Sequence, residues 1–155
     1  MALETQFTIV IKNRERLHHY LETTPKEELV KIPKGFNNNI WWNIAHVVVT
    51  EQKLVYGLSR LPLNISKELV EKYQKGTAPK GHPPANEVEE IKKLLFSLPE
   101  KTKSDYNNGM FTDFKSYMTT PKVELNSVED AIAFNAFHEG LHLGSIMALA
   151  RVLKV

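Results

Sequence analysis

The stretch from Asn126 to Leu153 constrains the fold more than any other part of the chain. It reads as one helix opening at Asn126 or Ser127, and at 1.5 Å per residue its roughly 27 residues span about 40 Å. A rod of that length traverses a whole domain, so the rest of the 155-residue chain has to be laid against it. Within it lies "FNAFHEGLHLGSI", Phe134 to Ile146, where His138, Glu139 and His142 form the string H-E-x-x-H. On a helix that string is the signature of zinc peptidases, with two histidine ligands and a glutamate base. Such a peptidase takes its third ligand from downstream, and "LGSIMALARVLKV" after His142 holds no Asp, Glu or His. Peptidase chemistry is therefore not expected, and the pair is better read as H-x-x-x-H.

The remaining elements follow from apolar spacing and punctuation. Leu3, Phe7, Val10, Leu17 and Leu21 recur every three or four residues, with a gap at Arg14, and predict an amphipathic helix ending near Glu22. In "TTPKEELVKIP", Thr24 as cap, Pro25 at the first helical position and Glu27 as the return partner predict a short helix. A second long helix runs through "WWNIAHVVVTEQKLVYGLSRLP", opened by Gly35 and Asn37–Asn39 and closed by Pro62. From Leu61 to Ala85 six prolines and glycines mark a long connection, interrupted by a short helix capped at Ser66. A third long helix opens at Asn86, passes Pro99 and stops before Asn107–Gly109. "FTDFKSYMTTPKVEL" reads as loop or short extended backbone. Four long helices, a long crossover between the second and third, and no convincing strand predict an all-α four-helix bundle, with residues 1–155 as a single domain.

Composition narrows the function classes. A net charge of +2 with acids and bases interspersed offers no electrostatic case for a nucleic-acid partner. The absence of cysteine excludes disulfides, thiolate metal sites and a cysteine nucleophile, and fits a reducing cytoplasm. The N-terminal residues resemble neither a secretory leader nor a transit peptide, and no apolar run approaches membrane-spanning length, so no membrane role is expected.

The histidines carry the chemistry. His138 and His142, one turn apart, share a helix face with Phe134, Ser145 and Leu149, which is expected to point into the bundle. His46 on the second helix stands in a row with Trp42 and Val49. His18 and His19, in a charged stretch, and His82, in the Pro/Gly connection, are expected at the surface. Imidazoles in an apolar interior need a proton, a hydrogen bond or a metal. Three of them converging from facing helices would make a bundle-core metal site whose remaining coordination positions are open to water or substrate.

The combination of Trp41, Trp42, Asn43 and His46 on one helix with His138, His142 and Gly144 on another resembles the DinB-like (DinB/YfiT) superfamily. The resemblance extends over nearly the whole chain. It implies a four-helix bundle holding a divalent ion, zinc or nickel, on His46, His138 and His142, often as a homodimer. Some relatives resemble thiol-dependent enzymes that transfer or isomerise with low-molecular-weight thiols such as bacillithiol or mycothiol.

Two functions are consistent with this sequence. One is a metalloenzyme of thiol-dependent transferase or hydrolase type acting on a small molecule, possible because an ion on three neutral ligands strongly acidifies water or thiol. The other is a noncatalytic, metal-stabilised bundle with a stress-related role, in which the ion clamps two helices together. Glu139, about 80° round the helix from the histidine pair, is a candidate base, though a partly exposed or dimer-contact glutamate is the plainer expectation. Asn43 and Asn135, each a turn from a histidine, are candidate partners for imidazole N–H groups or interhelical bonders. Gly140 and Gly144 are expected to allow close helix packing. Trp41, Trp42 and Tyr56 are expected in the core or an interface, with one walling the pocket.

Overall fold

In a computed structural model describing residues 3–155, the chain is mostly helical. The elements in order are α1 (Glu4–Thr23), α2 (Lys26–Val30), α3 (Ile40–Gln52), α4 (Lys67–Tyr73), α5 (Ala85–Asn107), β1 (Tyr117–Met118), β2 (Glu124–Leu125) and α6 (Val128–Leu153). The last helix packs on α1 and α3, and α5 closes the bundle against α1 and α3. The two strands form a small antiparallel hairpin pairing Tyr117 with Leu125 and Met118 with Glu124, in the segment expected to be loop or extended backbone.

Most helix ends are chemically marked. Asn39 Oδ1 accepts the Trp42 N–H at 2.7 Å, and the Ser66 and Ser127 side chains accept from Leu69 and Asp130 in the same way. At the C-terminus of α5, Gly109 adopts φ +69°. That left-handed turn lets the Met110 N–H reach back to Asp105 O, and the chain leaves the helix. Two expected starts are corrected. Pro25 occupies the cap position of α2 with no side-chain cap, because Thr24 is extended, as residues before proline prefer, and its N–H instead closes α1 on Tyr20 O. Likewise α5 begins at Ala85 behind Pro84, ahead of the expected Asn86, and accommodates Pro99 in its interior.

Beyond Gln52 the third helix widens into a π turn, Lys53–Gly57, with the Leu58 and Leu61 N–H groups bonded five residues back. The connection after it is anchored by Gln52, wholly buried, whose Oε1 accepts from both Asn64 nitrogens.

The core is divided. One apolar cluster gathers Leu17, Leu21, Ile44, Val48, Leu95, Ile146 and Leu149. The other gathers Leu3, Phe7, Leu54, Val55, Leu125 and Ile132. Along α1, α3, α5 and α6 the residues between the two clusters are polar and buried: Arg14, Glu51, Thr102, Asn135 and Glu139. The gap at Arg14 in the apolar rhythm of α1 is thus an inward guanidinium. Its Nε and Nη2 donate to the two Glu139 oxygens at 3.0 and 2.7 Å, and Nη2 also donates to Glu51 at 2.9 Å. Thr102 donates to the other Glu51 oxygen, and Asn135 donates to Glu139. Burial works against the Arg14 charge, but the two carboxylates outweigh it and hold its pKa above the ordinary value. Burial also pushes Glu51 upward, and Arg14 only partly counters that.

Candidate metal centre

His46, His138 and His142 are brought together where α3 faces α6. Their ring centroids are 4.4 to 5.3 Å apart, and one ring nitrogen from each lies within 4.8 Å of the others. His46 is separated in sequence from the His138–His142 pair by more than half of the chain, and packing of α3 on α6 supplies the contact.

Hydrogen bonds at the rear of the His46 and His142 rings decide which of their nitrogens face inward, whereas His138 Nδ1 is buried without a partner among the described residues. His46 Nδ1 is 2.7 Å from the Tyr73 carbonyl oxygen, which can only accept, so this nitrogen carries the proton. His142 Nδ1 is 2.7 Å from Asn43 Oδ1. The orientation of that amide is set by its other end, where Nδ2 donates to Asn39 O and to Asn38 Oδ1. Nδ1 of His142 is therefore the protonated nitrogen too. Both Nε2 lone pairs are left to the centre, the tautomer that a cation requires.

The Tyr73 carbonyl is itself held in place. The Tyr73 hydroxyl accepts from Trp41 Nε1 at 2.8 Å and donates to Glu87, a buried carboxylate that also pairs with Lys72. Trp42 stacks on the His46 ring at 4.5 Å, with planes 11° apart. It donates its indole N–H to Thr77, so it braces the imidazole from behind.

The donor set fits a divalent ion. His138 Nε2 and His142 Nε2 stand 3.1 Å apart. Two nitrogens at about 2.0–2.1 Å from a tetrahedral ion are separated by about 3.3–3.4 Å. Burial lowers all three imidazole pKa values, and the positive charge of neighbouring groups adds to it. His138 falls to about 4 and His142 to about 3, while His46 moves the same way against the pull of the Tyr73 carbonyl. The triad is accordingly neutral at physiological pH, the state in which imidazole binds metal.

The triad forms the floor of an apolar cavity of about 740 Å³. Leu54 from the π turn, Leu58 just after it, Phe134 and Leu141 from α6, and Thr119 and Pro121 from the hairpin make its walls. The Thr50 hydroxyl, 3.2 Å from His46 Nε2, is the nearest polar group on the α3 side.

A model of the DinB superfamily matches residues 10–146. The chain belongs to the DinB superfamily. No curated protein matches the chain significantly. Membership and the three-histidine cluster together are compatible with a bound divalent metal.

Several sequence expectations are revised at this DinB site. Glu139 is neither partly exposed nor on the cavity wall: it is wholly buried, and both oxygens are engaged by Arg14, one of them also by Asn135. Residues one turn apart on α6 share its face toward α1, and a carboxylate there meets the guanidinium rather than the histidines. Asn135 consequently serves Glu139, whereas Asn43 does reach an imidazole. Ser145 is exposed, with its hydroxyl on Leu141 O, so it does not share the inward face. A Cβ at Gly140 or Gly144 would meet nothing within 4 Å, so neither glycine packs against another helix of this chain. His18, His19 and His82 lie apart from the triad, and His82 faces Glu27. Sequence reasoning missed Arg14 and Glu51; the one cationic residue in the apolar rhythm of α1 was the available signal.

Proposed function

We propose that this DinB protein is a divalent-metal-dependent enzyme acting on a small molecule, of the thiol-dependent transferase or hydrolase type, with His46, His138 and His142 as the metal ligands. The observation that carries the reading is the convergence of three neutral imidazoles on the floor of a cavity large enough for a small substrate. An ion there supplies Lewis acidity, lowering the pKa of a water or thiol that reaches it. Asn43 and Tyr73 hold the tautomers of His142 and His46, Trp42 fixes the His46 plane, and the apolar walls keep bulk water from competing. Zinc and nickel are among the ions that suit an all-nitrogen set. The noncatalytic, metal-clamped bundle is disfavoured because a purely structural ion is normally enclosed by protein ligands on all sides, whereas this site opens on a cavity.

A homodimer belongs to the same reading. Phe137, Leu141, Met147 and Val152 leave an exposed apolar stripe along α6, with open space at Gly140 and Gly144. Phe137 and Leu141 also line the cavity, so a second copy seated there would narrow its mouth. A cytoplasmic location completes the proposal, since a cysteine-free chain gains nothing from an oxidising compartment.

Elemental analysis of untagged protein, alongside His46→Ala and His138→Ala, tests the metal assignment. About one equivalent in the wild type and little in either variant is expected. No metal after incubation with zinc and nickel would overturn it. Cobalt-loaded protein whose visible spectrum shifts on adding thiols, with turnover of an electrophile, is the expected sign of an exchangeable position.

A further inference from the structure

The charge around the cavity is one-sided. Among the described residues its lining holds two lysines, Lys53 and Lys75, and no carboxylate. Lys53 is the first residue of the π turn, two turns along the helix from His46, and its charge is felt at that imidazole. Lys75 lies in the connection after α4 and reaches across to the hairpin. Most of the charged pairs elsewhere on the surface join lysine to an acid, as in Lys12–Glu15, Lys92–Glu22 and Lys103–Glu4. At the cavity both ammonium groups are bonded to neutral oxygens instead. Lys53 Nζ donates to Gln74 Oε1 and Lys75 Nζ to Thr120 Oγ1, each at 2.7 Å.

These tethers hold two uncompensated positive charges at the rim of an apolar chamber whose floor carries the triad. Low-dielectric walls focus such a field, and a divalent ion on neutral ligands would add to it rather than offset it. A neutral or cationic guest gains nothing from this arrangement. A small oxyanion with an apolar body gains at both ends.

We propose that the cavity selects a small amphipathic oxyanion, its carboxylate, phosphate or sulfonate group held between Lys53 and Lys75 and its apolar body packed on Leu54, Leu58 and Phe134. This names the substrate class for the site read above as catalytic, and rests on that reading for its role in turnover. Because both lysines are exposed, each contributes modestly to affinity, about three- to fivefold, and the contribution is screened by salt.

The test uses 8-anilinonaphthalene-1-sulfonate, an aromatic oxyanion, and its uncharged relative N-phenyl-1-naphthylamine, titrated by fluorescence into full-length protein. Wild type, Lys53→Gln, Lys75→Gln and the double variant are compared, each in chelated and zinc-loaded form, with metal content measured separately. The sulfonate is expected to bind the double variant about tenfold or more weakly than wild type, and to lose affinity in wild type as salt is raised from 0.05 to 0.5 M. The uncharged probe should be unchanged within twofold, and Leu141→Trp, which narrows the chamber, should weaken both probes. Equal sulfonate binding by wild type and the double variant, parallel loss of both probes, or no sulfonate binding at all would overturn the proposal. Lysine-dependent sulfonate binding by protein that takes up no metal would support the anion site while sinking the metalloenzyme reading; metal uptake with lysine-independent binding would do the reverse.

Discussion

Replacing Arg14 by methionine is expected to expose how the polar layer of the bundle is held. The substitution keeps a long side chain but removes three charge-assisted hydrogen bonds and the cation that both Glu51 and Glu139 face. All three side chains are at most 3% exposed, so water cannot step in without opening the core. Removing one partner of a buried ionic cluster costs about 3–5 kcal/mol, chiefly because the remaining charge is stranded. Against a total of about 5–15 kcal/mol for an ordinary domain this is a large fraction. At about 2–4 °C per kcal/mol for a chain of this size, the melting temperature should fall by about 6–20 °C. The assay is urea and thermal unfolding in the presence of chelator, followed by circular dichroism. Two further results separate charge from packing. Stranded carboxylates rise in pKa and are stabilised by protonation, so the deficit relative to wild type should be smaller at pH 5 than at pH 8. The triple variant Arg14→Met, Glu51→Gln, Glu139→Gln should recover at least half of the loss. A deficit under about 1 kcal/mol at pH 8 would refute the reasoning.

Three other outcomes are expected. Asn43→Ala removes the acceptor that fixes the His142 tautomer and should weaken zinc binding by about 10–100-fold in competition with a chelating dye, without unfolding the protein. Metal-free protein should lose stability on mild acidification. With His138 near 4 when folded and about 6.5 when unfolded, the unfolded chain binds more protons between those values, so stability is complete above about pH 6.5 and declines toward pH 4. His138 alone accounts for about 3 kcal/mol of that decline, and a urea midpoint unchanged from pH 6.5 to 4.5 would contradict it. Leu141→Glu, which places a charge in the exposed stripe of α6, should convert a dimer to monomer in analytical ultracentrifugation while leaving the circular dichroism spectrum intact.

The sequence by itself determined the long helices and the candidate ligands, though not the exact starts of α2 and α5, the π turn or the strand pairing of the hairpin. Apolar spacing marks α1, α3 and α6, the Asn39, Ser66 and Ser127 caps start helices where side-chain oxygens can reach backbone N–H groups, and glycine and proline punctuate the connection between α3 and α5. These are local interactions, decided within a turn or two of chain. The i, i+4 histidines and the lone histidine of α3 were visible for the same reason. Glu139 shows where local reasoning stopped. Its angle on the α6 wheel was known, but whether that angle faces water, the cavity or a cation depends on which helix lies beside it, and only the packing of α1 on α6 supplied Arg14. The choice of imidazole nitrogen was equally out of reach, since it depends on Tyr73 and Asn43 arriving behind the rings. So was the exposure of Ser145 and the open space at Gly140 and Gly144, which follow from how α6 is rotated against its neighbours. Helix formation is settled by neighbours in sequence; charge burial, ring tautomer and cavity shape are settled by neighbours in space, and those exist only once the helices have packed.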